Sequence, residues 1–304
     1  MQGKKFLRLL GQYSSAIREY CSALEWDYNK FKTSISDEGI SHPDLYLEDP
    51  NEGIVDKLSQ FLDPSNQGSV FIIWDDVGMG KSSIRDFVTK SLDELEDYYT
   101  VLVTDPRMTS LQILRLMARQ IDSDVTAWNN RGKVKEALRK KLLEISDKGI
   151  NLVLWVDEAE RINKDTISEL RALSDLKTES GAKTCKIILS GTPRLIQKIE
   201  RYIEADPEDT VAFDDRASMN TFRLNRWNAG DIFNYWKLLS DYCGKKNPFT
   251  TEAADTVYEV SEGKPRTIAQ LTKMSITLKA MRKHSGLEIT SEDVLLAIRG
   301  HLEE

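Results

Sequence analysis

The chain has little of what marks a secreted, zinc-bound or membrane-spanning protein. Its three cysteines, Cys21, Cys185 and Cys243, are odd in number and scattered, and its three histidines are isolated. No CxxC or Cys/His cluster sets up a zinc site, so a reducing compartment, the cytoplasm, is expected. No apolar run approaches the roughly 20 residues of a spanning helix, so no membrane is expected. The opening "MQGKKFLRLLGQYSSAIREY" breaks its apolar residues with charge at helical spacing, unlike a secretory signal. Positive charge is in the minority: 42 Lys and Arg against 49 Asp and Glu leave a net charge of −7. That excludes a surface coated with cations for nucleic acid, but leaves room for a local basic patch. Internal repeats and low-complexity segments are absent too.

What is present is a globular composition. The 304 residues are 40% hydrophobic and 30% charged, enough for one large domain and a smaller one. Residues 1–36 carry Phe6, Leu9, Leu10, Tyr13, Ile17, Tyr20 and Leu24 at helical spacing. Residues 36–53, "SDEGISHPDLYLEDPNEG", are rich in Pro, Gly and acid and read as an extended linker. Over residues 54–227 strands alternate with helices. "SVFIIW", "YTVLVTD", "INLVLWVD", "CKIILSG" and "NTFRL" are the strands. Helices are expected over 81–95, 110–121, 134–146, 165–176 and 193–202. Strands this apolar, alternating with helices, imply an α/β fold with a parallel sheet covered on both faces. Residues 228–304 hold helices alone, at 229–242, 251–261, 266–283 and 291–302.

Between the first of these strands and its helix stands "DDVGMGKS", residues 75–82. It fits G-x-x-x-x-G-K-[ST] at every defined position except the first, where Asp75 replaces glycine. Strand before and helix after are the context that a phosphate-binding loop requires. The backbone of Val77, Gly78, Met79, Gly80, Lys81, Ser82 and Ser83 would wrap the phosphates at a helix N-terminus. Lys81 would reach the β- and γ-phosphates of ATP, and the Ser82 hydroxyl would ligate Mg2+. Asp75 and Asp76 put two carboxylates near a polyanion, so weakened nucleotide binding is expected, not its loss. A second element, "NLVLWVDEAER", runs an apolar strand into Asp157 and Glu158 at the edge where open parallel sheets bind ligands. Asp157 would hold the metal through water; Glu158 would orient or deprotonate the attacking water.

Phosphate loop, "VDEAER", "IILSGTPRL", "DDRASMNTFRL" and "EGKPRTIAQL" follow one another in an order that resembles AAA+ ATPases. The branch it looks most like holds the TnsC-type transposition regulators, the ExeA-type ATPases and the origin-recognition initiators. "DEA" with an "LxGTxxL" strand end is typical of the TnsC and ExeA side. The resemblance covers about residues 40–300. It implies a P-loop domain over residues 54–227 with a helical lid over 228–304, after a helical N-terminal segment and linker over 1–53. It also implies roles for single residues. Ser190 or Thr192 would be the sensor-1 group at the γ-phosphate or attacking water. Arg266 would be the sensor-2 arginine of the lid. Arg216, eight residues before Leu224, would be an arginine finger acting on the next subunit's site, with Arg223 and Arg226 weaker candidates. A finger in trans implies a homo-oligomer, ring or filament.

In TnsC-like assemblies the loops matching "TDPRMTS" and "WNNRGKVK" line a channel around duplex DNA. Arg107, Arg131 and Lys133 would contact phosphates there, with Lys135, Arg139, Lys140 and Lys141 extending the charge. Origin initiators usually carry a C-terminal winged-helix domain, whereas "AIRGHLEE" follows the lid helices directly, so the grip on DNA is expected from the ATPase ring itself. Three functions stay open on the sequence. One is a slowly hydrolysing, ATP-gated oligomer on duplex DNA that recruits a partner such as a transposase. Another is a replication initiator or helicase loader of a plasmid, virus or archaeon, working with a replication factor. The third is a nucleotide-dependent scaffold or defence-type sensor without DNA.

Overall fold

The computed structural model describes residues 2–36, 39–105, 107–121, 130–179, 181, 183–205, 220–282 and 286–302. The chain divides into two compact units, one of residues 51–77 and 85–224, the other of 1–50, 78–84 and 225–304.

The first of these is built on a five-stranded sheet. Its strands are β3 (Val70–Trp74), β4 (Tyr98–Val103), β5 (Asn151–Val156), β6 (Cys185–Gly191) and β7 (Thr221–Arg223), in the order β4-β5-β6-β3-β7. Every pairing is parallel. β5 and β6 are buried almost throughout, as expected of strands with helices on both faces. The helices are α3 (Ile54–Leu62), α4 (Lys81–Asp93), α5 (Ser110–Ile121), α6 (Arg131–Asp147), α7 (Lys164–Ser174) and α8 (Pro193–Ala205). Ile113, Leu114, Met117, Val134, Leu138, Leu142, Ile167 and Leu170 from these helices close over Val101, Val103, Leu154, Val156 and Ile187 in one apolar core. α6 starts three residues earlier than periodicity suggested. The side chain of Asn130 accepts from the Lys133 N–H and caps the helix there, so Arg131 and Lys133 are helical rather than in a loop.

The second unit joins the two ends of the described chain. α1 (Gln2–Ala23) and α2 (Tyr28–Ser34) share a core with α9 (Ala229–Cys243), α10 (Thr251–Ser261), α11 (Pro265–Met281) and α12 (Ser291–Leu302). Tyr20, Leu24, Trp26 and Phe31 pack among Tyr235, Trp236, Phe249 and Ile268, with Trp236 stacked on Phe249 at 4.0 Å. The single N-terminal helix of the periodicity is two. The chain reverses at Glu25, whose φ is 60°, and Asp27 caps α2 by accepting from the Asn29 N–H at 2.7 Å. The expected linker is structured as well. Ile35–Ser36 (β1) and Gly39–Ile40 (β2) form a small antiparallel pair, and Leu45, in a 3-10 turn, is fully buried. Proline, glycine and acid are plentiful in that stretch, but Leu45 anchors it in the apolar core.

Candidate functional site

The phosphate loop leaves the end of β3 and enters α4. Gly78 and Gly80 hold φ of 88° and 94°, a region that side chains rarely tolerate. At Gly80 an added Cβ would meet only Pro265 Cγ, at 4.0 Å, so the loop keeps room for a ligand. At Gly78 it would stand 3.0 Å from Arg266 Cβ, and the Gly78 carbonyl accepts from the Arg266 N–H at 3.1 Å. The expected sensor-2 arginine therefore starts α11 against the loop. Met79 is buried and Val77 exposed. Lys81, Ser82 and Ser83 form the first turn of α4, and that turn carries no acid to offset the positive potential of the helix N-terminus.

The strand register sets Trp74 beside both Gly191 and Arg223, and Val156 beside Leu189. The strand ends therefore bring Asp75, Asp157, Ser190 and Arg223 to one edge of the sheet. Asp75 is buried; its Oδ1 accepts from the Asp76 N–H at 2.6 Å and its Oδ2 from Arg223 Nε at 3.2 Å. The aspartate in the glycine's place thus carries a partner cation.

Asp157 is buried at the end of β5. Its Oδ1 accepts from Ser190 Oγ at 2.8 Å and from the Glu158 N–H at 3.0 Å, and its Oδ2 from Arg85 Nη1 at 2.5 Å. Ser190 itself accepts from Trp155 Nε1 at 2.9 Å, so its hydroxyl is spent on orienting Asp157. Thr192 differs: its Oγ1 is buried with no hydrogen-bond partner among the described residues, while its N–H donates to Glu160 Oε2 at 3.2 Å. Glu158 sits in the left-handed region at φ 48°, a strained position for a residue with a side chain. Its exposed carboxylate pairs with Arg161 Nη1 at 2.6 Å. Serine hydroxyl and carboxylate are the hard oxygen donors that Mg2+ takes, so the chemistry of Ser82 and Asp157 suits that ion.

Arg85 was missed in the sequence. It stands three residues after Ser82, one turn along the same helix face. That spacing from the phosphate-loop serine was the available signal.

The residues expected at DNA fare differently from one another. Arg107 is exposed in the turn after β4, its N–H on Asp105 Oδ1 at 3.3 Å. Lys133 is exposed on α6. Arg131 is paired: its Nη2 lies 2.5 Å from Glu169 Oε1, and Lys135 Nζ lies 2.9 Å from Oε2. Burial pushes the Glu169 carboxyl upward, but these two cations outweigh it and hold it below its ordinary range. Arg216 lies outside the described residues.

Residues 65–199 match the family described as an AAA domain. With the five-stranded parallel sheet, its flanking helices and the helical C-terminal region, the fold is that of AAA+ P-loop ATPases. General secretion pathway protein A of Aeromonas hydrophila is 23% identical over 203 residues, covering 66% of this chain and 35% of that protein. The chain thus spans about a third of the length of this curated relative. The Aeropyrum pernix ORC2 protein in its ADP form superposes with a TM-score of 0.61 at 14% identity, over 90% of this chain and 72% of that one. The Aeropyrum pernix ORC1 protein in complex with DNA gives 0.56 at 14% identity, over 83% and 65%. These structural likenesses are likenesses of fold. Among the described residues no helix is long and apolar enough to cross a membrane.

Proposed function

We propose that the protein binds ATP on its phosphate loop, hydrolyses it slowly, and in the ATP-bound form assembles as a homo-oligomer on duplex DNA. There it recruits or regulates a partner of the transposase kind, in the cytoplasm. The observation that carries the nucleotide reading is the loop: Gly78 and Gly80 at positive φ, followed at once by Lys81 and Ser82 at a helix N-terminus free of acid. Such an end binds phosphate through its N–H groups and its dipole. Mg2+, when bound, would neutralise phosphate charge, with Ser82 and Asp157 as its protein oxygens. Glu158 is the base toward the attacking water. Thr192, with its uncommitted hydroxyl, is the better sensor-1 group, and Ser190 is a positioning residue for Asp157. Arg266 senses the γ-phosphate and Arg216 supplies the finger in trans.

The DNA part rests on the exposed cations Arg107 and Lys133, with Arg139 and Lys140 further along α6, and on the fold shared with a structure of an ORC1 protein in complex with DNA. One acidic subunit binds duplex poorly; repetition of these cations in an oligomer supplies the avidity. The test is sedimentation or electron microscopy with duplex DNA of varied sequence, with and without ATP. Assembly that needs ATP and tolerates any sequence is expected. Removal of Arg107 and Lys133 should flatten the salt dependence by about 0.9 in log–log slope per lost phosphate contact. A DNA complex indifferent to ATP, or to that double substitution, would sink the proposal. Footprints confined to one origin-like sequence would favour a replication initiator instead.

A further inference from the structure

Arg85 bridges two carboxylates. Its Nη1 is 2.5 Å from Asp157 Oδ2, while its Nε and Nη2 are 2.8 Å and 2.7 Å from Asp86 Oδ1. The pair with Asp157 is largely withdrawn from water, with side-chain exposures of 16% and 10%, whereas Asp86 is 41% exposed. Ser190 Oγ and the Glu158 N–H already occupy the other Asp157 oxygen.

We propose that Arg85 is a displaceable counter-cation of Asp157. It holds the carboxylate's charge while no divalent metal is there, and cedes Oδ2 when a metal arrives. The proposal rests on the nucleotide-site reading above and adds a competitor to it. Withdrawing a cation from a buried carboxylate is costly, and an arriving metal replaces the charge that Arg85 gives up. Guanidinium cannot escape by losing its proton, so it has to move. Asp86 gives it a place to go, since two of its three nitrogens already lie there. A metal's water shell needs an open Asp157 oxygen, and Oδ2 is the one Arg85 holds. Metal affinity is therefore reduced by the fraction of time that Arg85 occupies that oxygen.

The test is Mn2+ binding followed by electron paramagnetic resonance, with saturating ADP, on wild type, Arg85→Met and Asp86→Asn. Methionine keeps much of the arginine's length and apolar volume without the charge. Arg85→Met should tighten Mn2+ about tenfold, on the premise that Arg85 holds the oxygen most of the time. The same variant should melt at a lower temperature without metal and regain the difference when metal is added. Asp86→Asn removes the resting place and should weaken Mn2+. Opposite signs in the two variants are the signature that a general loss of structure cannot give. Equal or weaker Mn2+ binding in Arg85→Met overturns the proposal. So does an absence of Mn2+ binding in all three proteins; calorimetric ADP binding that is lost in Lys81→Ala would then show that the nucleotide site itself stands.

Discussion

The Asp75 carboxylate, in the position where a phosphate loop usually begins with glycine, accepts a hydrogen bond from Arg223 Nε at 3.2 Å. The same guanidinium lies over the Trp74 ring, 5.2 Å from its centroid. Three residues at the ends of β3 and β7 thus form one unit: aspartate neutralised, arginine stacked, tryptophan covered. The negative charge at the mouth of the loop is opposed at its source.

Nucleotide affinity should therefore respond in opposite directions to the two partners. Arg223→Ala takes a cation away from the Asp75 carboxylate and should weaken ATP binding. Asp75→Gly removes it and should tighten binding. Arg223 is 65% exposed, so water screens the pair and each change is worth a few-fold, about 1 kcal/mol or less. Isothermal calorimetry on both variants and the double variant closes the cycle. Weaker binding in Asp75→Gly would mean that its bond to the Asp76 N–H, by shaping the loop, matters more than its charge.

Lys81→Ala should abolish ATP binding in the same calorimeter. A lysine at this point supplies the loop's only full charge in the first turn of α4, and the backbone donors alone hold a polyanion weakly. Unchanged affinity would remove the site from this loop.

Glu158→Gln should keep ATP binding and lose turnover, followed by phosphate release. Arg161 pairs with the Glu158 carboxylate and competes for it, so Arg161→Ala should raise the basal rate modestly. Turnover that survives in Glu158→Gln would assign the base elsewhere.

The two sensor candidates separate by stability. Ser190→Ala strips a donor from Asp157 and an acceptor from Trp155, both buried, and should cost about 1–3 kcal/mol in chemical denaturation. Thr192→Ala breaks no bond of its side chain, so it should leave stability almost unchanged while slowing hydrolysis. The reverse pattern would exchange their roles.

Glu169 sets a pH dependence. Its folded pKa lies below the ordinary 4.5 because Lys135 and Arg131 outweigh the opposing effect of burial. The unfolded chain binds this proton more readily, so the pair's stabilisation is present above about pH 4.5 and is lost as pH falls through the folded value. Glu169→Gln should flatten the thermal-stability profile over that acidic range. Arg131→Ala should do so in part, which tells its structural share from any share in DNA binding.

The strands and the phosphate loop were legible because each carries a local signature. Five apolar runs bounded by turn residues gave the five strands. "GMGKSS" gave a loop whose two glycines adopt the φ that only glycine takes freely. The helices from Ala229 onward were found to within a residue or two by periodicity alone. Long-range pairing was not legible. Nothing in the neighbourhood of Asp75 announces Arg223, 148 residues later. Nor does "SSIRDF" reveal that Arg85 meets Asp157, 72 residues on. Nor does the basic stretch at the start of α6 announce that Arg131 pairs with Glu169, 38 residues further along. The extended linker misled for a similar reason, since Leu45 finds its burial among residues far from it in sequence.

The bond from Trp26 Nε1 to the Lys246 carbonyl spans 220 residues of chain, and that from Tyr20 to the Leu287 carbonyl spans 267. Synthesis proceeds from one end, so α1 and α2 emerge long before the helices that cover them. Closing so long a loop is entropically slow, while the sheet between forms through nearer partners. Trp26 and Phe31 must therefore wait uncovered, and a nascent or truncated chain presents them to solvent. Such exposed apolar surface is what chaperones capture and what aggregates. Connectivity therefore favours an order in which the sheet forms before α1 and α2 meet the helices from Ala229 onward.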